Sequence, residues 1–245
     1  MGFSNSQESH PADLPTALTI ADSIRHHNLP GAFTDSVAYA KEQSILSEGE
    51  LATDIHIVVS GAVRLFKMMP DGRRQIIGFA FPGDMLGLSL DDRYLHSAEA
   101  ISPVILRHMG RRQLAALLER DHGLRKALLA WTMTELQIAQ DQMLLLGRKD
   151  ATERLSSFLL TLLQRRNHST EDRHLPLAMT RTDIADYLGL TMETVSRTIS
   201  LLKGRRLIRP LADHSIELLN VPGLQDLAAG NAITVQLDPQ RPAKA

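Results

Sequence analysis

The chain has 245 residues, 43% hydrophobic and 22% charged, enough apolar side chain for a core and too little net charge (−1) for a disordered polyelectrolyte. It has no cysteine, which excludes disulfides, thiolate zinc sites, Cys-ligated iron–sulfur clusters and thiol redox switching. Residues 1–147 carry 13 Lys+Arg against 17 Asp+Glu, residues 148–209 carry 12 against 7, and the last 36 carry 2 against 4, so one basic block stands between two acidic ones and points to a polyanionic partner for that block.

No apolar run reaches the roughly 18 residues of a membrane span. The N-terminal MGFSNSQESHPADLP lacks the apolar stretch of a signal peptide, so a soluble cytoplasmic protein without membrane contact is expected. Residues 1–30 read as a loosely ordered extension with one helix at Leu18–His26. Residues 31–120 hold β-rich runs, "DIHIVVSGAVRLFKMM" and "RRQIIGFAFPGDMLGLSL", separated by Pro70-Asp71-Gly72. Pro presets φ and Gly permits φ > 0, so this tripeptide predicts a turn. Gly49, Gly61, Gly83 and Gly87 punctuate the runs, as expected of short strands folded into a small β-sandwich or roll.

The period turns helical at Arg111, and residues 121–147 predict one long helix. Leu129, Thr132, Leu136, Ala139, Met143 and Leu146 follow spacings of three and four, the a/d seam of a coiled coil, and no charge lies among them. A second row, Leu124, Leu128, Trp131 and Leu145, faces elsewhere. A helix with two apolar faces packs on two things: its own domain, and either more of that domain or its twin in a homodimer. Residues 148–230 form the next region. Asp150 is placed to cap a helix, "NHSTEDRHLPL" reads as a polar loop, 180–204 as helical, and "RLIRPLADHSIELLNV" as a β-hairpin. Residues 231–245 read as a mobile tail.

Within the basic block, "RTDIADYLGLTMETVSRTISLL" (181–202) predicts two short helices meeting at Gly189. Small Ala185 allows a close helix crossing, Gly189 takes a left-handed turn, Val195 plugs the interhelical core, and Thr180 with Asp183 makes a capping box. A helical hairpin can also be purely structural, but inside the basic block and ahead of a candidate β-hairpin wing this one predicts a helix-turn-helix, the motif whose second helix enters the major groove of double-stranded DNA. Its exposed N-terminal face is Met192, Glu193, Ser196 and Arg197. Arg donates two hydrogen bonds to guanine, Glu accepts from cytosine, Ser bonds several base edges, and Met packs on a thymine methyl. Arg181, Lys203, Arg205 and Arg206 are phosphate candidates, supplying affinity rather than sequence information.

The order of these parts, with "VVSGAVRLFKMMPDGRRQIIGFAFPGDMLG", "LLLGRKDATERLSSFLL" and "DIADYLGLTMETVSR", resembles the Crp/Fnr superfamily of bacterial transcription regulators over about residues 20–225, most closely its FixK-type branch. The resemblance implies an α+β fold: a cyclic-nucleotide-binding-like β-roll, a long dimerisation helix and a C-terminal winged helix-turn-helix. It implies a homodimer whose Glu193, Ser196 and Arg197 read a TTGA(T/C)-type half-site. It also implies RNA polymerase as a partner and an activator role in low-oxygen respiration, denitrification or nitrogen fixation. Three departures shape the expected mechanism. The cluster-binding cysteines of Fnr are absent, as is the redox-sensitive cysteine of some FixK-type proteins. Where cyclic-nucleotide binders carry G-E-[LIV] and R-[ST]-A, this chain has Gly83-Asp84-Met85 and His96-Ser97-Ala98, so Gly83, Asp84, His96 and Ser97 mark a vestigial ligand pocket. No cofactor and no metal are expected, and the uncharged seam predicts a constitutive dimer.

A ligand-gated sensor of the same architecture, answering haem, nitric oxide or a nucleotide, is the alternative. Ten histidines permit it, but no spacing singles out a ligand, and His26-His27 reads as polar surface. An enzyme is not expected: there is no nucleophile elbow, P-loop, H-E-x-x-H or dinucleotide fingerprint.

Overall fold

A computed structural model describes residues 36–89, 91–166 and 173–231. The expected helix at Leu18–His26 and nearly all of the expected tail lie outside them. Eight strands open the described chain: β1 (Val37–Tyr39), β2 (Ser44–Leu46), β3 (Asp54–Ser60), β4 (Val63–Met68), β5 (Arg74–Ala80), β6 (Met85–Leu86), β7 (Ser97–Ala100) and β8 (Val104–Gly110). They form two four-stranded sheets, of order β1-β8-β3-β6 and β2-β7-β4-β5. The Pro70-Asp71-Gly72 turn joins β4 to β5, with Gly72 at φ 83° and Met69 N–H donating to Arg73 O at 2.8 Å. Gly61, at φ 88°, turns β3 into β4; a Cβ there would lie 2.3 Å from Pro103 O.

Alternation along β3 decides what each sheet face holds. Ile55 and Ile57 join Met85, Met109, Leu114 and Leu124 in one apolar cluster, with Leu128 and Trp131 packed against it. His56, between them, opposes His108 across the β3–β8 ladder, the rings 6.1 Å apart. It is 8% exposed, and burial above all holds its pKa down at about 4.

Helix α1 (Arg111–Arg120) ends at Asp121, whose backbone is extended and whose carboxylate accepts from Leu124 N–H, capping α2 (His122–Arg148). At 27 residues, α2 matches the expected long helix. Asp150 caps α3 (Ala151–Arg166) as expected: its Oδ1 accepts from the N–H groups of Thr152 and Glu153, and Glu153 reaches back to Asp150 N–H. Then follow β9 (His174–Pro176), α4 (Arg181–Leu188), α5 (Met192–Gly204), β10 (Ile208–Pro210), β11 (Ser215–Leu218) and α6 (Val221–Ala228).

Two elements differ from the expectation. His174–Pro176, read as part of a polar loop, is a strand, because β11 pairs with it on one side and with β10 on the other. Three residues carry too little alternation to announce a strand; the pairing comes from β11. Helix α6 was not expected. Asn220 caps it by accepting from Gly223 N–H, Pro222 sits in its first turn, and Leu224 and Leu227 are buried.

The described chain divides into two compact units. One holds the residues up to Val63 together with Ala80–Ile138; the other holds Arg64–Phe79 together with the residues from Ala139 onward. The β4–β5 arm thus belongs with the C-terminal helices.

Candidate nucleic-acid interface

The helix-turn-helix is built from local signals that the structure realises one by one. Thr180 Oγ1 accepts from Asp183 N–H, while Asp183 Oδ2 accepts from Thr180 N–H at 2.9 Å and from its hydroxyl at 2.7 Å. Gly189 ends α4 in the left-handed conformation (φ 62°, ψ 40°), which turns the chain into the next helix without strain. Thr191 caps α5 by accepting from Thr194 N–H. Ala185 is buried at the crossing, and Val195 and Leu202 are fully buried beneath α5. The residues expected in the motif's interior, Ala185 and Val195, are thus buried.

With that face buried, the opposite face of α5 is fixed by the 3.6-residue period. Met192 (54% exposed), Glu193 and Arg197 are exposed in its first turns, and Ser196 is half-buried between them. Arg197 donates to Glu193 Oε1 at 2.6 Å, an i,i+4 pair in open solvent. Arg181, at the start of α4, donates to Ser196 Oγ at 3.2 Å. The four base-reading candidates therefore share one surface, with Arg181 beside it. Lys203, Arg205 and Arg206 are exposed at the far end of α5, where the chain enters β10. In the β9–β11 sheet, Arg209 pairs across strands with Glu217, Nε to Oε2 3.3 Å.

The seam residues of α2 are laid open. Leu129 (59%), Thr132, Leu136, Ala139 and Met143 are exposed, and Leu146 is half-buried. The other row behaves oppositely: Leu124 and Leu145 are buried, and Leu128 and Trp131 half-buried. The two rows are two faces, one covered by the chain and one not.

The polar groups expected to mark a vestigial ligand pocket have local tasks. Gly83 (φ 100°) donates to Val58 O, and Asp84 Oδ2 accepts from Phe81 N–H at 2.9 Å, closing its own turn. Ser97 Oγ accepts from Glu48 N–H at 3.0 Å, and His96 is half-buried. No group of three or more His, Cys, Asp or Glu among the described residues is placed to hold a metal ion.

A second set of polar residues surrounds the motif and was not singled out in the sequence. Arg64 and Arg74, from the β4–β5 arm, both donate to Asp183 Oδ1, at 3.0 and 2.9 Å, and Arg74 also reaches Asp186 Oδ2. The Arg154 guanidinium donates to the carbonyls of Leu146, Lys149 and Leu188 at 2.8–3.0 Å, tying the end of α2 to the turn of the motif. The only sequence signal was the density of Arg near apolar strands and helices. Spacing does not reveal which carboxylate an Arg will find 119 or 109 residues away.

Comparison with known proteins agrees with this arrangement. The Cyclic nucleotide-binding domain family matches residues 36–121, and the Crp-like helix-turn-helix domain family matches residues 153–227. The nitrogen fixation regulation protein FixK of Azorhizobium caulinodans is 43% identical over 195 residues, 78% of each chain. The transcriptional activatory protein AadR of Rhodopseudomonas palustris is 40% identical over 196 residues, 79% of this chain and 81% of that protein. Among solved structures, FixK2 from Bradyrhizobium japonicum superposes with a TM-score of 0.75 at 40% identity, covering 82% of this chain and 98% of that one. A cyclic-nucleotide-binding-like roll, a long helix and a helix-turn-helix in this order, in a chain that aligns with these relatives over most of its length, belong to the Crp/Fnr superfamily of transcription regulators, in its FixK-type branch.

Proposed function

We propose that the chain is a FixK-type transcription activator that binds an inverted repeat of TTGA(T/C)-type half-sites as a homodimer, without a bound cofactor. The observation that carries this reading is the exposed Glu193–Arg197 pair, flanked by Met192 and Ser196, on the N-terminal turns of the second helix. Arg197 then donates to guanine O6 and N7 while Glu193 accepts from the paired cytosine N4, so one G·C pair is read from both bases. Arg181, Lys203, Arg205 and Arg206 contact phosphates, and residues 148–230 act as the DNA-binding region.

Dimerisation is assigned to residues 121–147. An unpartnered row of Leu129, Leu136 and Met143 supports it, because a monomer would leave that apolar stripe in water. Its twofold symmetry places the half-sites about 34 Å apart on the duplex. Sedimentation showing a monomer at micromolar concentration would remove this part of the reading. Independence from ligand is supported by the local hydrogen bonds of Asp84 and Ser97, and by an absent cationic side chain at the position of His96. Relatives named as a nitrogen fixation regulation protein and as a transcriptional activator support an activator role in low-oxygen respiration, denitrification or nitrogen fixation, with RNA polymerase as the partner that an activator touches.

Fluorescence anisotropy on the purified protein tests the whole. The probes are an inverted-repeat TTGAT duplex and a Crp-type TGTGA duplex, in air, at fixed salt, with and without cyclic AMP. Tight binding to the first alone, indifferent to cyclic AMP, is expected. Specific binding that appears only with haem or a nucleotide would make the protein a gated sensor instead.

A further inference from the structure

Helix α4 has eight residues, and its last three carbonyls are each taken by a side chain from another element of the same unit. The last carbonyls of a helix have no partner within it. Here Asp186 O accepts from Gln75 Nε2 at 2.7 Å, Tyr187 O from Gln142 Nε2 at 3.0 Å, and Leu188 O from Arg154 Nη1 at 2.9 Å. The β4–β5 arm, α2 and α3 thus each supply one donor.

The arm does more. Arg74 spans the side chains of Asp183 and Asp186, one turn apart on α4: Nη2 reaches Asp183 Oδ1 at 2.9 Å, and Nε and Nη2 reach Asp186 Oδ2 at 3.1 and 2.9 Å. The guanidinium carbon lies 5.9 Å from the centre of the Phe66 ring, which limits its own freedom. Beside this cluster Phe79 of the arm, Phe158 of α3 and Tyr187 of α4 meet with ring centres 5.4–6.2 Å apart. Arg165 donates to Phe79 O at 3.1 Å.

An apolar contact alone tolerates sliding. A guanidinium shared between two carboxylates on successive turns does not, because a slip of one residue breaks its hydrogen bonds and leaves buried Asp183 short of partners. The arm therefore fixes the rotation and the axial position of α4. Gly189, Ala185 and Val195 then transmit that position to α5.

We propose that Arg74, assisted by Gln75, is a positioning residue for DNA reading: the β4–β5 arm is a clamp that sets the angle at which α5 presents Glu193, Ser196 and Arg197. This rests on the DNA-reading proposal above. Arg74 and Gln75 hydrogen-bond to α4 and not to Glu193, Ser196 or Arg197, so the clamp acts on discrimination between base pairs and not on charge-driven binding.

The test uses the full chain, with Arg74→Ala and Arg74→Lys, on the TTGAT inverted repeat and on the same duplex with the G·C pair of each half-site inverted. The clamp predicts that Arg74→Ala keeps its affinity for the inverted-pair duplex within about twofold, since phosphate contacts survive. It also predicts a loss of roughly tenfold or more in discrimination between the duplexes. Arg74→Lys, which keeps the charge but not the two-pronged contact, regains only part of it. Faster amide exchange across Leu190–Lys203 in folded Arg74→Ala protein accompanies the loss. Wild-type discrimination in Arg74→Ala, or affinities for both duplexes that fall together with the melting temperature, would overturn the clamp. If Arg74→Ala does not fold, Gln75→Leu, which leaves the charge cluster whole, decides by the same ratio. A wild-type protein that fails to discriminate overturns the DNA reading itself and the clamp with it.

Discussion

The two helices of the recognition motif carry the same kinds of charged residue and use them in opposite ways. On α4, Asp183 is 1% exposed and held by Arg64, Arg74 and its own capping box. On α5, Glu193 and Arg197 pair at 2.6 Å with side chains 69% and 79% exposed. Asp183 has surrendered its water, so its charge depends on its partners and is not available to a ligand. The second has kept its water, adds little to stability, and can be redirected to a base pair at small cost. Burial, and not residue type, separates the charges that build the motif from those proposed to read with it.

The largest expected effect comes from breaking the buried member. Asp183→Ala removes the cap of α4 and leaves two guanidinium groups facing the place of a lost carboxylate. A destabilisation of about 3–5 kcal/mol is expected in denaturant unfolding of the DNA-binding unit, the range for an orphaned buried charge. A loss near 1 kcal/mol, the value of a cap alone, would mean that the Arg64 and Arg74 contacts add nothing.

A buried titratable group in the other compact unit extends the comparison. His56 is kept neutral, with burial as the main cause of its pKa of about 4 and the neighbouring His108 lowering it further, against Asp54. The unfolded chain binds a proton near 6.5, so between pH 6.5 and 4 it binds more protons than the folded chain. The contribution of His56 is complete above pH 6.5 and is lost as pH falls towards 4, on the order of 3 kcal/mol in all. Unfolding free energies measured from pH 7 to pH 4 should show this slope, and His56→Gln should flatten it. An unchanged slope in the variant would assign the acid sensitivity to other groups.

How much of this was legible in the sequence follows from the range of each interaction. The Thr180–Asp183 box, the Gly189 turn and the buried Ala185 and Val195 all act within a few residues, and each was readable from spacing. So was the contrast between the two rows of α2, since a 3.6-residue period is a local property. Arg64 and Arg74 were not readable, because their partners lie 119 and 109 residues along the chain and fold topology alone joins them. Strand β9 was missed for the same reason: it exists through its pairing with β11. Helix α6 had a local signal, an Asn two residues before a Pro, but its eight residues gave too short a period to stand out.

Returning to the exposed pair, Arg197→Ala removes a donor fork without disturbing a packed neighbour. Discrimination at the G·C pair of each half-site should fall by roughly 1–3 kcal/mol, seen as converging affinities for the native and inverted-pair duplexes. Stability should change by less than about 0.5 kcal/mol. A uniform weakening on all sequences, with a shallower salt dependence, would instead place Arg197 on a phosphate.

The smallest effect is the sharpest on the comparison. Glu193→Gln breaks the ion pair with Arg197 while keeping size and shape, and an i,i+4 pair in solvent is worth only about 0.3–0.5 kcal/mol. Unfolding measurements should therefore barely move, in contrast to Asp183→Ala on the preceding helix. DNA binding should move more than stability does, because a neutral amide can donate as well as accept, and the preference for cytosine opposite the guanine relaxes. If instead stability drops by more than about 1 kcal/mol, the pair is structural despite its exposure. Glu193 would then be fixed on Arg197 rather than free for the base, and the division between buried builders and exposed readers would fail at the residue where it was drawn.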